Sequence, residues 1–213
     1  MTTPTPTDQC EPLCVDFADW WNFNDGRPKP MRKTELIRQQ SRMDIAVHEA
    51  AHAVVGLAYG MSLEYTGVLE QEDGDQWNMT GRTRWGNCSV PCLRYAVMAA
   101  AGLRAEVRYL AGQGLPPAAA LGGTSDDRQV AFADLAHSNF PLRQTGEPGH
   151  AMTWPEVEDA ADHAIGLLWQ QINTVATAMY AAPDGLLTGD QVAALTLFPN
   201  PPALPEPEEG EEL

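Results

Sequence analysis

His48-Glu49-Ala50-Ala51-His52 constrains this chain more than any other feature. It is an HExxH motif inside an apolar, alanine-rich run from Met43 to Tyr59. Residues four apart on a helix lie one turn above each other. A helix over this run therefore sets two imidazoles on one face, at a spacing that can bind one zinc ion. Glu49 follows the first His and is placed to take a proton from metal-bound water. The composition is poor in His, with five in 213 residues. A shuffled chain would give roughly 0.01 such matches, so chance is a weak explanation. The bland alternative is a buried helix carrying two hydrogen-bonded histidines.

Charge narrows the classes of partner. The formal net charge is -16, and Glu206, Glu208, Glu209, Glu211 and Glu212 crowd the last eight residues. Nucleic acid and anionic membrane both demand basic patches, so neither is expected as a partner. No uninterrupted apolar run approaches the ~20 residues that span a bilayer. Met1 to Asp8 lacks the basic and apolar regions of a signal peptide, so a cytoplasmic location is expected. Cysteines fall as Cys10-x3-Cys14 and Cys88-x3-Cys92. They read as free buried thiols, as a structural zinc site of the permitted C-x₂₋₄-C type, or as a disulfide, which a reducing cytosol disfavours.

The chain divides into three parts. Residues 1–40 form an N-terminal arm, expected to be partly disordered. It is rich in Thr and Pro at first, then aromatic at Phe17, Trp20, Trp21 and Phe23, and basic from Arg27 to Arg38. Residues 41–198 carry the periodic elements of a folded domain. Residues 199–213 are an acidic, Pro/Glu-rich tail expected to be disordered.

Within the domain, Ser41-Arg42-Met43-Asp44 reads as a capping box opening the HExxH helix, which Gly60 closes. Leu63 to Glu70 and Gln76 to Arg84 read as strands of a hairpin around Glu72-Asp73-Gly74-Asp75. Pro91 to Leu110 predicts a second helix, and a third runs from Thr124 or Ser125 to about His137. Thr153-Trp154-Pro155-Glu156 caps a long helix to Tyr180, lined by Val157, Ala161, Ala164, Leu168, Ile172, Val175 and Met179. Thr188 to Leu195 reads as a short terminal helix. The fold class is mainly α with a small β-hairpin or sheet.

A catalytic zinc needs three protein ligands and one open position. His48 and His52 supply two. Periodicity leaves the third open between Glu106, on the second helix, and the Asp126-Asp127 pair at the start of the third. His137, His150 and His163 are weaker candidates for a site role. His150, in a Gly-flanked loop, could serve as an oxyanion donor.

The ordered set of motifs resembles the peptidase domain of the FtsH-type, membrane-bound AAA+ proteases, an Asp-zincin family. The likeness begins at Asp44-Ile45-Ala46-Val47-His48-Glu49-Ala50-Ala51-His52-Ala53-Val54-Val55-Gly56. It passes through a hairpin to Ala100-Ala101-Gly102-Leu103-Arg104-Ala105-Glu106, similar to the family's Gly-x-x-Ala-Glu helix. It continues through Gly123-Thr124-Ser125-Asp126-Asp127 to Leu187-Thr188-Gly189-Asp190-Gln191-Val192. The resemblance covers roughly residues 41–196. It implies an FtsH-type peptidase-like helical domain in which Asp127 is the third zinc ligand. Glu106 then orients a ligating His through its other ring nitrogen.

Two departures matter. Ala51 stands where the family commonly has Gly in His-Glu-x-Gly-His. The chain also has no Gly-x-x-x-x-Gly-Lys-Ser/Thr phosphate loop and no transmembrane segment. The expected activity is that of a zinc metallopeptidase, ATP-independent by itself. Zn2+ would be held by His48, His52 and Asp127, with Glu49 as general base, and the substrates would be unfolded or flexible polypeptides. The exposed hairpin edge, Leu63 to Glu70, would hold the peptide by strand addition. The alternatives are a non-catalytic, zinc-stabilised interaction module and a peptidase subunit that works with a separate unfoldase.

Overall fold

The structure is a computed structural model that describes residues 38–73, 76–87, 90–115, 120, 125–137 and 152–202. The N-terminal arm up to residue 37, the turn at Gly74-Asp75 and the tail from residue 203 lie outside the described residues.

Helix α1, Arg38–Ala58, is the centre of the molecule. Ala46, Val47, Ala50, Ala51, Ala53, Val54, Val55 and Leu57 are all buried, so the helix is enclosed around its circumference. Alanines make this possible, because small side chains let neighbouring helices approach on several sides at once. Ala51 is itself fully buried in this packing.

Gly60 closes the helix at φ 86. The Met61 amide donates to the Gly56 carbonyl and the Gly60 amide to that of Leu57, the paired bonds of a Schellman motif.

The helix begins earlier than its sequence suggests. Ser41 to Asp44 lie inside it, so the expected capping box is not its start. Gln39, Gln40 and Arg42 are good helix formers with no breaker among them. Arg42 then ties this first part down. It donates to Glu70 Oε1 at 2.9 Å and to the Ala182 carbonyl at 3.0 Å, and it lies over the Tyr180 ring.

Strands β1, Ser62–Asp73, and β2, Gln76–Asn87, pair antiparallel along their whole length. The second helix, α2, runs Cys92–Gly112 behind Pro91. Its middle, Ala96 to Gly102, is wholly buried because the helix packs against both α1 and the long helix. Helix α3 spans Ser125–His137. The long helix α4, Trp154–Ala181, starts with the expected capping box, in which Glu156 Oε2 accepts from the Thr153 amide at 2.7 Å. Its predicted stripe is buried apart from Leu168, which is half-buried against the core.

Strand β3, Leu186–Thr188, and helix α5, Gly189–Thr196, complete the fold, with Thr188 and Gln191 forming a second capping box. The fold is mainly helical with a three-stranded antiparallel sheet of order β2-β1-β3. Among the described residues, no helix is long and apolar enough to cross a membrane.

Strand β3 corrects one expectation. It pairs with Tyr65, Thr66 and Gly67, so β1 is the central strand and not the exposed edge. Glycine permits this closeness. A Cβ on Gly67 would lie 2.2 Å from Leu186 Cδ2. Among the described residues β2 is the long edge strand, β3 being the short one, and β2 lies on α1. The Trp85 indole covers Gly56 so closely that a Cβ there would sit 2.0 Å from the ring.

Candidate metal centre

Helix α1 presents His48 and His52 on one face, and both rings are buried. Each ring is fixed through Nδ1. His52 Nδ1 donates to the Met98 carbonyl on α2 at 2.8 Å. A carbonyl only accepts, so a neutral His52 carries its proton on Nδ1, which leaves the Nε2 lone pair for a cation or a second proton. His48 Nδ1 donates to Glu106 Oε2 at 2.8 Å. Glu106 is buried at 1% exposure and belongs to α2, one turn beyond Gly102. It thus holds the outer nitrogen of His48 and lies on the far side of the ring from Nε2.

The two Nε2 atoms are 3.0 Å apart. Asp127 Oδ2, from the first turn of α3, lies 3.0 Å from His48 Nε2 and 3.4 Å from His52 Nε2. Three lone-pair atoms converging this closely repel one another unless a cation or protons stand among them. A tetrahedral shell with bonds of about 2.0–2.1 Å spaces its donors by about 3.3–3.4 Å, so the triangle fits a small divalent ion. His48, His52 and Asp127 form a group that could hold a metal ion. The rings are almost closed to solvent, whereas the Asp127 side chain is 36% exposed, so the cluster opens on the α3 side.

Helix α3 is steadied next to that carboxylate. The Arg128 guanidinium lies over the rings of Phe132 and Trp154, 5.6 and 5.5 Å from their centres, linking α3 to the start of α4.

Glycine again sets the approach. A Cβ on Gly102 would fall 2.3 Å from His52 Nε2 and 2.5 Å from His48 Nε2, at the metal-facing tips of both rings. Gly102→Ala should therefore displace the donors while keeping the helix. We expect a loss of metal affinity on the order of 10–100-fold, measured by competition with a chelating dye, with an unchanged helical circular dichroism signal.

Glu49 stands beside the pair, 7% exposed, and its charge is felt at His52. Thr83 Oγ1 of β2 donates to Glu49 Oε2 at 2.6 Å. Among the described residues Oε1 has no hydrogen-bond partner. A Cβ on Gly81 would lie 2.1 Å from that oxygen, so β2 passes directly over the carboxylate. Sequence reasoning missed Thr66, Thr83, Gly81 and the Met98 carbonyl. Nothing local marks them, since each meets the site across the fold.

In the metal-free protein, protons take the cation's place. Burial opposes a charge on His48, but its hydrogen bonds to Asp127 and Glu106 win, and its pKa is raised well above the ordinary value. Burial likewise opposes a charge on His52, and Asp127 raises its pKa nonetheless. Burial pushes Asp127 up, yet the charge of His52 and the hydrogen bond from His48 hold it far below the usual carboxylate range.

The signs give a pH window. Raised histidines contribute stability fully below about 6.5 and lose it as pH rises through their folded values. The lowered Asp127 contributes above about 3.9 and loses it as pH falls through its folded value. Chelated protein should thus melt at a higher temperature near pH ~5.5 than near ~8.5. Metal reverses the trend, because protons compete for its ligands. Thermal scans with and without chelator at both pH values check this.

The other candidates lie apart. His163 is exposed on α4, and Cys92 is a half-buried free thiol. Asp126 and His137 belong to α3, but their side chains lie outside the described residues, as do His150, Cys10, Cys14 and Cys88. The chain matches no protein-family model, and no curated protein matches it significantly.

Proposed function

We propose that this chain is a zinc-dependent metalloendopeptidase acting on unfolded or flexible polypeptides, with an FtsH-type peptidase-like domain. The observation that carries the reading is the convergence of His48 Nε2, His52 Nε2 and Asp127 Oδ2 beside a carboxylate, one oxygen of which has no hydrogen-bond partner among the described residues. Two imidazoles and one carboxylate suit zinc and leave a fourth position open, whereas a purely structural site closes all four. When bound, zinc would supply Lewis acidity, lowering the pKa of water toward ~7 and polarising a carbonyl oxygen.

The chain's own groups do the rest. Glu49 takes a proton from the attacking water at Oε1 and returns it to the leaving amine. Its Oε2 is held meanwhile by Thr83. Glu106 and the Met98 carbonyl keep both imidazole protons on Nδ1, so that Nε2 stays a donor. An extended substrate would add to the free edge of β2, whose inner face carries Gly81 and Thr83 against the base.

The test is cleavage of unfolded casein by the zinc-loaded protein, followed by mass spectrometry of the fragments. We expect cleavage that a zinc chelator abolishes, that ATP leaves unchanged, and that spares tightly folded proteins. Casein left intact, both alone and with candidate unfoldases, would overturn the reading.

A further inference from the structure

Strand β2 does more than border the site: we propose that Thr83, itself held by Thr66, is a positioning residue that fixes the orientation of the Glu49 carboxylate. The inference deepens the peptidase reading and rests on it for its catalytic consequence. Thr66 and Thr83 are direct partners across β1 and β2, on the face turned toward α1. Their hydroxyl oxygens are 2.8 Å apart. Thr83 Oγ1 lies 2.6 Å from Glu49 Oε2, and Thr66 is fully buried.

Counting protons fixes the direction of the chain. Each hydroxyl has one proton, and an ionised carboxylate only accepts. The proton of Thr83 therefore goes to Glu49 Oε2. Its oxygen is left to accept from Thr66, whose other acceptor, the Glu49 carbonyl, is more distant at 3.4 Å. The order Thr66 to Thr83 to Glu49 uses the shortest contacts, since the Glu49 carbonyl, the other acceptor open to Thr83, lies at 3.3 Å. Both threonines are β-branched on a strand, so their χ1 angles are stiff.

Gly81 bounds one side of Oε1, where a Cβ would lie 2.1 Å from that oxygen, and the absence of a side chain leaves the oxygen approachable. A flexible three-torsion side chain is thus held at Oε2 by a hydroxyl and bounded at Oε1 by backbone. Oε1 is left as the oxygen that moves the proton. The same strand is the long edge of the sheet among the described residues, so a peptide added to it is registered against the residue that aims the base.

The experiment compares zinc-loaded wild type with Thr83→Val, Thr83→Ser and Thr66→Val, by crystal structure and by steady-state kinetics on an unfolded peptide. In Thr83→Val we expect full zinc content, a Glu49 carboxylate spread over more than one orientation, and kcat lowered about 10–100-fold with KM unchanged. Thr83→Ser, which keeps the donor, should restore both orientation and kcat. Thr66→Val should give the same loss in weaker form, and it carries the test if Thr83→Val does not fold. A Glu49 carboxylate that keeps its single wild-type orientation without the Thr83 hydroxyl would overturn the proposal, as would an unchanged kcat. If the wild type hydrolyses nothing, the peptidase reading fails separately. The positioning role is then decided by the Glu49 orientation alone.

Discussion

Glu49→Gln should keep the metal and the fold and lose peptide hydrolysis by about 10²–10⁴-fold, the range expected for removing a general base. The amide is isosteric with the carboxylate. Its carbonyl oxygen can still accept from Thr83, and it fits the same slot under Gly81. None of the three candidate ligands is touched. What the amide cannot do is take a proton. The measurement pairs metal content with kcat on a fluorogenic unfolded peptide. A Gln variant that cleaves at the wild-type rate would rule out Glu49 as the base.

Removing a ligand should act on stability as well as activity, and unequally. Binding at 1,000 times Kd stabilises a fold by about 4 kcal/mol, so zinc should raise the wild-type melting temperature and chelation should lower it. His48→Ala abolishes that response and adds a penalty of its own. It removes the imidazole partner of the buried Glu106, and breaking such a pair costs roughly 3–5 kcal/mol. Asp127→Ala also abolishes the zinc response. It leaves His48 and Glu106 paired, and the side chain removed is 36% exposed, so its metal-free form should be the more stable of the two. Thermal scans of wild type and both variants, with zinc and with chelator, check the order. Equal zinc-dependent shifts in all three would show that the ion binds elsewhere.

The parts of this fold legible in the sequence are those with local causes. Gly60 ends α1 because only a left-handed residue completes that turn. Thr153 with Glu156 and Thr188 with Gln191 start α4 and α5, because each box satisfies its own backbone. Where a tertiary contact decides, the local signal misleads. Ser41 to Asp44 has the letters of a cap, but Arg42 reaches Glu70 and Ala182 and the helix runs through.

Strand β3 is three residues long, too short to leave a pattern, yet it turns β1 from an edge into the centre of the sheet. The site divides in the same way. The two imidazoles and Glu49 belong to one motif. The hydroxyl that holds Glu49 comes from 34 residues away and the carboxylate on His48 Nδ1 from 58, distances over which periodicity says nothing.

The coordination shell of the zinc-loaded protein tests the central claim most directly. A crystal structure with anomalous data at the zinc edge should show one ion bound by His48 Nε2, His52 Nε2 and Asp127 Oδ2 at about 2.0–2.2 Å, with a fourth position open to solvent. A fourth protein ligand closing that position, a Glu106 oxygen within bonding distance, or no ion at these residues would contradict it.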